Sequence, residues 1–413
     1  MKILVIAGYY PPEQSADTRL NQDLVESLSE KGEDVTLIVP FPSRGISVDE
    51  QRAYLCKKHE IVNEHLEIYR VGAATKYRQD ILRRGLSFLK KSIQMYKVAK
   101  RQEVDIVIVV STPPTLGYIA AMLSYRNKVV YKLQDAFPDS LMHTKKMSEK
   151  NIIIRFLRVF ERWVYRKVAK ICTISDDLKE TLISRGVSKE KIEVIYDWID
   201  ERKCFPIERK NNFLFDKFGL DRNKIYIAYG GNIGLLQNLK TIVLTSKRFI
   251  KTNPELEFVI IGDGSWKTEL IEMLKTGEYS NVHWFPMQPT ENIAYVYSLG
   301  DIGLVSIKPE ISKIALPSKT WDILSTGRPV LCEIDLYSGL CDIIHDNKLG
   351  YCVEPGNVDD MEKTIKRMLS DMKETQNMGV RGREYILNNL TREATIHKYI
   401  SMLKHEIGEQ LND

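Results

Sequence analysis

The sequence predicts an α/β protein with two doubly wound domains, each a parallel sheet covered by helices on both faces. Strand-like apolar runs alternate with helical patterns along most of the 413 residues. This alternation lapses once, in a polar stretch after Tyr196, and restarts at Ile225. Strands that alternate with helices are typical of parallel sheets. The lapse therefore indicates a linker between two such sheets.

The strand positions follow from short β-rich runs bounded by glycine or polar residues. In the first half they lie at 2–7, 34–39, 105–110, 129–133, 171–174 and 192–196. In the second half they lie at 225–229, 257–261, 282–285, 302–305 and 329–332. We therefore expect a first domain over residues 1–200, a second over 201–390 and a helical segment at 391–413.

Composition excludes several classes of protein. The 43% hydrophobic fraction is that of a globular chain and excludes a disordered one. No run of about 18 uncharged apolar residues is present, so no bilayer span is predicted. The apolar run near the N-terminus is too short for the core of a secretory signal. Cysteines without a C-x-x-C pair favour a reduced, cytoplasmic chain over a disulfide scaffold or a zinc site.

Positive charge is concentrated in residues 76–101, which hold nine basic side chains and one acid, Asp80. Such a block indicates an anionic partner: a phosphate, a nucleic acid or a membrane surface. The apolar residues in it recur at helical spacing at Leu82, Leu86, Leu89, Ile93 and Tyr96, and the basic residues beside them include Arg83, Arg84, Lys90 and Lys91. This amphipathic helix either lies on an anionic leaflet or packs its apolar stripe on the sheet.

Two glycine-containing segments follow predicted strands of the second domain, one with Gly231 and Asn232 and the other with Gly262 and Asp263. Glycine lets backbone amides approach a phosphate or a base without obstruction by a Cβ atom. Each segment is equally compatible with a tight turn. Neither has the P-loop pattern, which excludes a P-loop NTPase. No G-x-G-x-x-G follows the first strand, which argues against a dinucleotide-dependent oxidoreductase.

The segment from Pro317 to Asp322 predicts an anion site at the start of a helix. Pro317 and Ser318 suit the first positions of a helix, where free backbone amides and the Lys319 ammonium would attract an anion. Asp322 lies one turn later on the same face and could accept hydrogen bonds from sugar hydroxyls. The alternative is an ordinary capped helix with a Lys–Asp pair.

A set of individually weak motifs occurs in one order along the chain. The motifs are P-P-E, L-S-E-K-G-E-D-V-T, V-D-I-V-I-V-V-S-T-P-P-T, Q-D-A-F-P-D, E-R-W-V-Y-R-K-V-A-K-I-C-T-I-S, K-I-E-V-I-Y-D-W-I-D, Y-G-G-N-I-G, F-V-I-I-G-D-G and P-S-K-T-W-D-I-L-S-T-G-R-P-V. In this order and spacing the sequence resembles the retaining glycosyltransferases of family 4, which have the GT-B fold. The resemblance covers essentially the whole chain and is greatest to the bacterial surface-polysaccharide branch.

The resemblance implies two Rossmann-like domains that face each other across a cleft. The first domain would bind the acceptor, the second would bind a nucleotide-sugar donor, and the C-terminal helix would return to the first domain. The family needs no metal and no cofactor, since the leaving phosphate itself helps to deprotonate the acceptor hydroxyl. Within this pattern Asp322 falls on the acid that holds the ribose hydroxyls.

The sequence departs from the family pattern at three positions. Ile314 occupies the place of an acid that holds the donor sugar. Asn232 and Gln237 occupy the places of an Arg and a Lys that bind the phosphates. A leaving diphosphate without a nearby cation would be poorly stabilised, because negative charge develops on it as the glycosidic bond breaks.

Lys319 is the residue that we expect to supply the missing cation, and we assign it a catalytic role. Backbone amides around Gly231 and in the loop of Ser15 and Ala16 are expected to assist it. The other donor-binding positions that we predict are Asn232, Gly262, Asp263, Pro317, Ser318 and Asp322.

Five acidic residues of the first half receive different interpretations. Asp135 ends a strand and is expected to orient the acceptor or to accept its proton, with a helix N-cap as the alternative. Glu13, in P-P-E, is expected to face the acceptor. Glu161 lies in a helical pattern and is expected to be a buried salt-bridge partner. Asp197 and Asp200 are expected to form a structural turn rather than a metal site.

The predicted function is transfer of a hexose or N-acetylhexosamine from a UDP-linked donor to a lipid-linked saccharide in capsule, O-antigen or exopolysaccharide synthesis. A lipid-linked acceptor favours the leaflet interpretation of the basic helix, and thus a peripheral position on the inner face of the cytoplasmic membrane. The alternatives are a non-hydrolysing nucleotide-sugar epimerase and a non-catalytic nucleotide-sugar-binding subunit. Nucleic acid is not an expected partner, because the basic block lacks a recognition motif.

Overall fold

The computed structural model describes residues 1–13, 16–72, 81–139, 142, 148, 150–311 and 316–408, with Ala16, Val48 and residues 81–86 described by their backbone alone. The chain divides into two compact units. The first comprises Met1–Asp197 and Glu393–Asp413, and the second comprises Trp198–Arg392. The boundaries expected from the sequence were residues 200 and 390.

The described part of the first unit contains a sheet with the strand order β3-β4-β2-β1-β5-β6-β7-β8, parallel except between β3 and β4. The strands are β1 (Lys2–Ile6), β2 (Asp34–Pro40), β3 (His59–Asn63), β4 (Leu66–Val71), β5 (Ile106–Val110), β6 (Lys128–Leu133), β7 (Lys170–Thr173) and β8 (Ile192–Val194). β5 is buried along its whole length. Its continuous apolar run is what a parallel strand covered on both faces requires.

Helices cover both faces of the sheet in the first unit, and three of them pack side by side on one face. The helices of this unit are α1 (Ala16–Glu30), α2 (Val48–Tyr54), α3 (Ile81–Ala99), α4 (Leu116–Leu123), α5 (Ile152–Lys167) and α6 (Asp176–Ser184). Ser92 of α3 donates a hydrogen bond to Thr115, just before α4 (3.0 Å). Gly117 of α4 lies so close to α5 that a Cβ atom there would be 3.2 Å from Val164. Right-handed crossovers place α3, α4 and α5 on one face of the sheet and α1 on the other.

Helix α3 buries apolar residues that lie outside the predicted stripe. Phe88 and Met95 are buried, although both lie outside the predicted apolar stripe. Leu89 and Ile93, which belong to that stripe, are 41% and 40% exposed. The interpretation in which the stripe packs on the sheet is therefore wrong for these two residues.

The basic residues of α3 also differ from expectation. Lys90 is exposed, but Lys91 is buried, and its ammonium lies 5.5 Å from the centroid of the Phe88 ring. Burial lowers the pKa of Lys91, and the nearby charge of Glu13 raises it. The prediction that Lys91 faces an anionic partner is therefore wrong. The side chains of Arg83 and Arg84 lie outside the described residues.

The described part of the second unit contains a parallel sheet with the strand order β11-β10-β9-β12-β13-β14. The strands are β9 (Ile225–Asn232), β10 (Leu256–Asp263), β11 (Val282–Phe285), β12 (Ile302–Ser306), β13 (Val330–Glu333) and β14 (Gly350–Val353). The helices are α7 (Leu214–Phe218), α8 (Leu239–Ser246), α9 (Lys267–Lys275), α10 (Ile293–Tyr297), α11 (Lys319–Ser325), α12 (Gly339–Asp346), α13 (Val358–Ser370) and α14 (Met372–Asn389).

The last helix, α15 (Arg392–Ile407), packs in the first unit. There the Cys172 thiol of β7 lies 3.5 Å from the Tyr399 hydroxyl. Both side chains are buried. Within the described part of the chain, no helix combines the length and apolar character needed to cross a bilayer.

Candidate active site

Two strands of the second unit end side by side where parallel sheets bind ligands. Gly231 of β9 pairs with Gly262 of β10, and Asn232 pairs with Asp263. A Cβ atom on Gly262 would lie 1.9 Å from the Gly231 carbonyl oxygen, so only glycine fits there. Gly231 has a φ of +129°, which also favours glycine. At Gly231 and Gly262 the backbone is therefore not covered by a side chain of its own.

The Lys319 ammonium lies at the same edge, although the residue belongs to α11. Its Nζ atom would be 3.1 Å from a Cβ atom on Gly231 and lies 3.7 Å from the centroid of the Tyr229 ring. Within the described residues this buried nitrogen has no hydrogen-bond partner. Burial lowers the pKa of Lys319 to about 7, and the charge of Asp322 acts in the opposite direction.

This arrangement is chemically suited to an anion. Burying an ammonium group is costly unless it is paired. The negative ring face of Tyr229 compensates for part of that cost, yet the pKa remains several units below that of a free lysine. An anion beside Nζ would favour the protonated form, so ligand binding and protonation of Lys319 should be coupled.

Asn232 and Gln237, which replace the expected Arg and Lys, bind each other. The Asn232 amide donates to Oε1 of Gln237 (3.3 Å), which also accepts from the Gly234 backbone amide (3.1 Å). These two side chains hold the loop after β9 in place, and neither of them is charged. Neither position that the family pattern assigns to the phosphates therefore supplies a cation, and Lys319 stays the residue that we expect to supply one.

Helix α11 begins at Lys319, as the sequence predicted. Ser318 is exposed and Pro317 is half-buried. Asp322 is buried in the first turn of the helix, where its charge favours the ammonium form of Lys319. Ile314 lies outside the described residues.

Asp263 has a different environment from its neighbours. It accepts hydrogen bonds from the Gly264 backbone amide (2.8 Å) and the Lys267 ammonium (3.2 Å). The Lys267 bond lowers the pKa of this exposed carboxyl. Asp263 is therefore ionised and partnered at the end of β10.

Glu333, at the end of β13, is a residue of this edge that sequence reasoning missed. Its buried carboxylate accepts hydrogen bonds from Ser306 (2.6 Å), Asn238 (2.7 Å) and the Gly356 backbone amide (2.7 Å). Burial raises its pKa, and these bonds act in the opposite direction. Glu333 thus connects the end of β12 to the segments that follow β9 and β14. Its one sequence signal was an acid at the end of an apolar run.

Asp135 follows β6 in the first unit, and its side chain is accessible to solvent. The protein atoms around it nevertheless desolvate the carboxyl, and the charges of Asp17 and Asp197 add to this effect. Together they raise the pKa of Asp135 to about 6. A carboxylate with this pKa is suited to exchange a proton near neutral pH.

Asp17, in α1, is a second carboxylate of this region that the sequence did not single out. Burial raises its pKa, whereas the charge of Lys132 lowers it. Lys132 is fully buried, and its ammonium lies 3.3 Å from Oδ1 of Asp197. Asp17 of α1, Asp135 after β6 and Asp197 after β8 thus interact electrostatically, and Lys132 is buried beside Asp197.

Glu13 is buried in the loop after β1. Its buried carboxylate accepts hydrogen bonds from the backbone amides of Ser43 (2.7 Å) and Arg44 (3.1 Å). Burial raises its pKa, and these backbone bonds lower it. Glu13 therefore holds the loop after β2, and its contact with an acceptor stays a prediction. Ser15 lies outside the described residues, and Ala16 begins α1.

Glu161 is the buried salt-bridge partner that the sequence indicated. It contacts Arg158 (3.3 Å) and Arg185 (3.1 Å) and accepts a hydrogen bond from Tyr165 (2.9 Å). Asp200 pairs with Arg202 (3.1 Å). Among the described residues no cluster of three or more His, Cys, Asp or Glu side chains could hold a metal ion.

Two family models match the chain. Residues 18–203 match the model described as Glycosyltransferase Family 4, and residues 210–385 match the model described as Glycosyl transferases group 1. WcaI of Escherichia coli (strain K12), named as a colanic acid biosynthesis glycosyl transferase, is 25% identical over 98% of this chain and 100% of its own length.

One further relative is named for its acceptor, and one similar structure contains a nucleotide. A Campylobacter jejuni N-acetylgalactosaminyltransferase, whose name specifies a diphospho-undecaprenol-linked saccharide, is 25% identical over 70% of this chain and 74% of its own. The Anabaena HepE structure in complex with UDP has a TM-score of 0.71 at 14% identity, over 98% of this chain and all of that one. At this identity the likeness establishes the fold.

Proposed function

The chain belongs to the family 4 glycosyltransferases of surface-polysaccharide biosynthesis, which have the GT-B fold, and we propose that it transfers a sugar from a UDP-linked donor to a lipid-linked saccharide. The proposed reaction retains the configuration at the anomeric carbon and needs no metal ion. The sugar is a hexose or an N-acetylhexosamine.

The observation that carries the proposal is the buried Lys319 ammonium beside the bare backbone of Gly231. A donor diphosphate seated there would receive one full positive charge in a desolvated site, where electrostatic interactions are strong. Asp322, on the same short helix, would accept hydrogen bonds from the ribose hydroxyls. In other nucleotide-sugar enzymes a divalent metal neutralises the phosphates. In this proposal the Lys319 side chain does so.

The chemistry follows from where charge develops. The bond between the sugar C1 and the β-phosphate oxygen breaks, and its electron pair stays on that oxygen. Lys319 stabilises this charge more strongly in the transition state than in the ground state, which is what accelerates a reaction. The acceptor hydroxyl forms the new bond to C1 on the same face, and its proton passes to the departing phosphate. Asp135 orients that hydroxyl.

Relatives support the two substrates to different degrees. The Anabaena protein of the same fold has been crystallised with UDP, which supports a uridine nucleotide. The Campylobacter jejuni relative is named for an undecaprenol-linked acceptor, which supports a lipid-linked saccharide.

An acceptor-dependent assay tests the proposal. UDP-glucose, UDP-galactose and their N-acetylhexosamine counterparts are each incubated with the protein in EDTA, with and without undecaprenyl-diphosphate-linked saccharides. We expect UDP release only when an acceptor is present, and NMR should show the donor's anomeric configuration in the product.

Other outcomes would support other functions. Conversion of the donor to its epimer without an acceptor would indicate an epimerase. Donor binding in calorimetry without turnover on any acceptor would indicate a non-catalytic subunit. Turnover that requires added divalent metal would contradict the assigned role of Lys319.

A further inference from the structure

Helix α5 of the first unit has apolar residues on two opposite faces. One face, which includes Ile154, Val164 and Tyr165, is buried in the unit. The other consists of Ile152, Phe156, Val159 and Trp163, which we call the outer stripe. Ile152, Phe156 and Val159 are 81%, 69% and 63% exposed, and Trp163 is half-buried.

The spacing of the outer stripe shows that it is one continuous surface. Its residues recur at i, i+4, i+7 and i+11, which is one line along an α-helix. Single exposed apolar side chains are ordinary on protein surfaces. A contiguous row over three turns is instead the mark of an interaction site.

Within α5, which is described along its whole length, the exposed charges beside the outer stripe are all positive. Helical geometry places Arg155, Arg162 and Arg166 along one side of it and Lys167 along the other, and all four are exposed. The acid within α5, Glu161, is buried on the opposite face and paired with arginines. Within α5 the outer stripe is therefore bordered by positive charges only.

The first unit exposes further apolar residues in α3 and just after α4. Leu89 and Ile93 of α3 are partly exposed, and Tyr125, just after α4, is 62% exposed. The Lys167 ammonium lies 4.4 Å from the centroid of the Tyr125 ring. Helices α3 and α4 contain no acidic residue.

We propose that the outer stripe docks the protein on a bilayer rich in anionic lipids. Phe156 and Val159 would enter the interface between headgroups and acyl chains, and the arginines beside them would contact lipid phosphates. The positive border selects this occupant, because a second copy of the chain would bring the same positive charges together. The inference deepens the proposed function, since a lipid-linked acceptor is held in a bilayer.

Vesicle co-sedimentation of the full chain tests the surface. We compare phosphatidylcholine vesicles with vesicles containing about one third phosphatidylglycerol, at physiological salt. The wild type should bind the anionic vesicles at least tenfold more tightly. Val159→Glu should reduce this binding at least fivefold, and Arg162→Glu should reduce the preference for anionic lipid.

Val380→Glu is the matched control, since Val380 is a 55% exposed residue in a helix of the second unit. It should bind vesicles as the wild type does. Circular dichroism and UDP calorimetry of each variant report whether the fold and donor site are intact.

The outcomes separate this inference from the proposed function. Equal vesicle binding by the wild type and Val159→Glu, or none by either, would overturn the docking surface and leave donor binding as evidence for the transferase. A wild-type dimer that Val159→Glu converts to a monomer, without lipid binding, would show a self-association surface instead. If the protein binds vesicles but no nucleotide, the transferase proposal is refuted and the docking surface is not.

Discussion

The ammonium of Lys319 lies 3.7 Å from the centroid of the Tyr229 ring, and no hydrogen-bond acceptor contacts this ammonium within the described residues. A desolvated cation–π contact stabilises an ammonium by about 2 kcal/mol or more. The lowered pKa of Lys319 shows that this does not balance the cost of burial. The group therefore gains most from a ligand that brings negative charge.

Replacement of Lys319 by methionine should lower kcat/KM at least about 30-fold, which corresponds to roughly 2 kcal/mol of transition-state stabilisation. Methionine keeps the apolar stem and removes the charge that offsets the leaving diphosphate. Lys251→Met, at an exposed site of the same unit, is the control and should leave kcat/KM unchanged. Steady-state kinetics that place Lys319→Met within about threefold of the wild type would contradict the assignment.

Stability should rise with pH because of Lys319. Its folded pKa is about 7, whereas in the unfolded chain it returns to about 10.4. Between these values the unfolded state binds more protons, so this residue raises the free energy of unfolding with pH. From pH 7 to pH 9 the wild type should gain about 2 kcal/mol relative to Lys319→Met. Urea unfolding at both pH values measures the difference, and parallel pH dependences would exclude a lowered pKa.

UDP binding should be accompanied by proton uptake at alkaline pH. At pH 8.5 Lys319 is largely neutral in the free protein, and the diphosphate should restore its proton by raising the pKa. Calorimetry in buffers of different ionisation enthalpy should show close to one proton bound per UDP at pH 8.5. Little or no uptake is expected at pH 6 or in Lys319→Met. Uptake that persists in the variant would assign the proton to another group.

Activity should decrease on acidification with the titration of Asp135. Its pKa is raised to about 6, so kcat/KM should fall below about pH 6 as the carboxylate that orients the acceptor becomes protonated. Asp17→Asn should move this acidic limb to lower pH, because it removes a charge that raises the pKa of Asp135. Glu30→Gln, at the far end of the same helix, should leave the limb in place. Asp135→Asn with an unchanged pH profile would show that another group titrates.

Glu333 should contribute more to stability than an exposed glutamate. Glu333→Ala leaves the buried donors of Ser306, Asn238 and Gly356 without their acceptor. The free energy of unfolding should fall by roughly 2–4 kcal/mol. Glu269→Ala, at an exposed site, should change it by less than about 0.5 kcal/mol. Urea unfolding compares the two, and equal losses would refute this anchoring role.

The boundary between local and tertiary information is clearest in α3 and Glu13. The sequence predicted an amphipathic helix at α3, but two of its faces carry apolar residues, and spacing alone did not decide which of them is buried. Phe88 and Met95 are the residues that are buried. Glu13 was assigned from the P-P-E motif, and the sequence did not indicate that backbone amides from a distant loop bind it.

The sequence by itself determined the alternation of strands and helices, the two-domain division and the chemical identity of Lys319. These depend on periodicity and residue type, which are local properties. Only the tertiary structure decided that the Lys319 ammonium is buried against Tyr229, that Glu333 joins three segments and that α5 exposes a second apolar face. The reason is physical: burial, and the pKa shifts and free surfaces that follow from it, depend on which elements pack together.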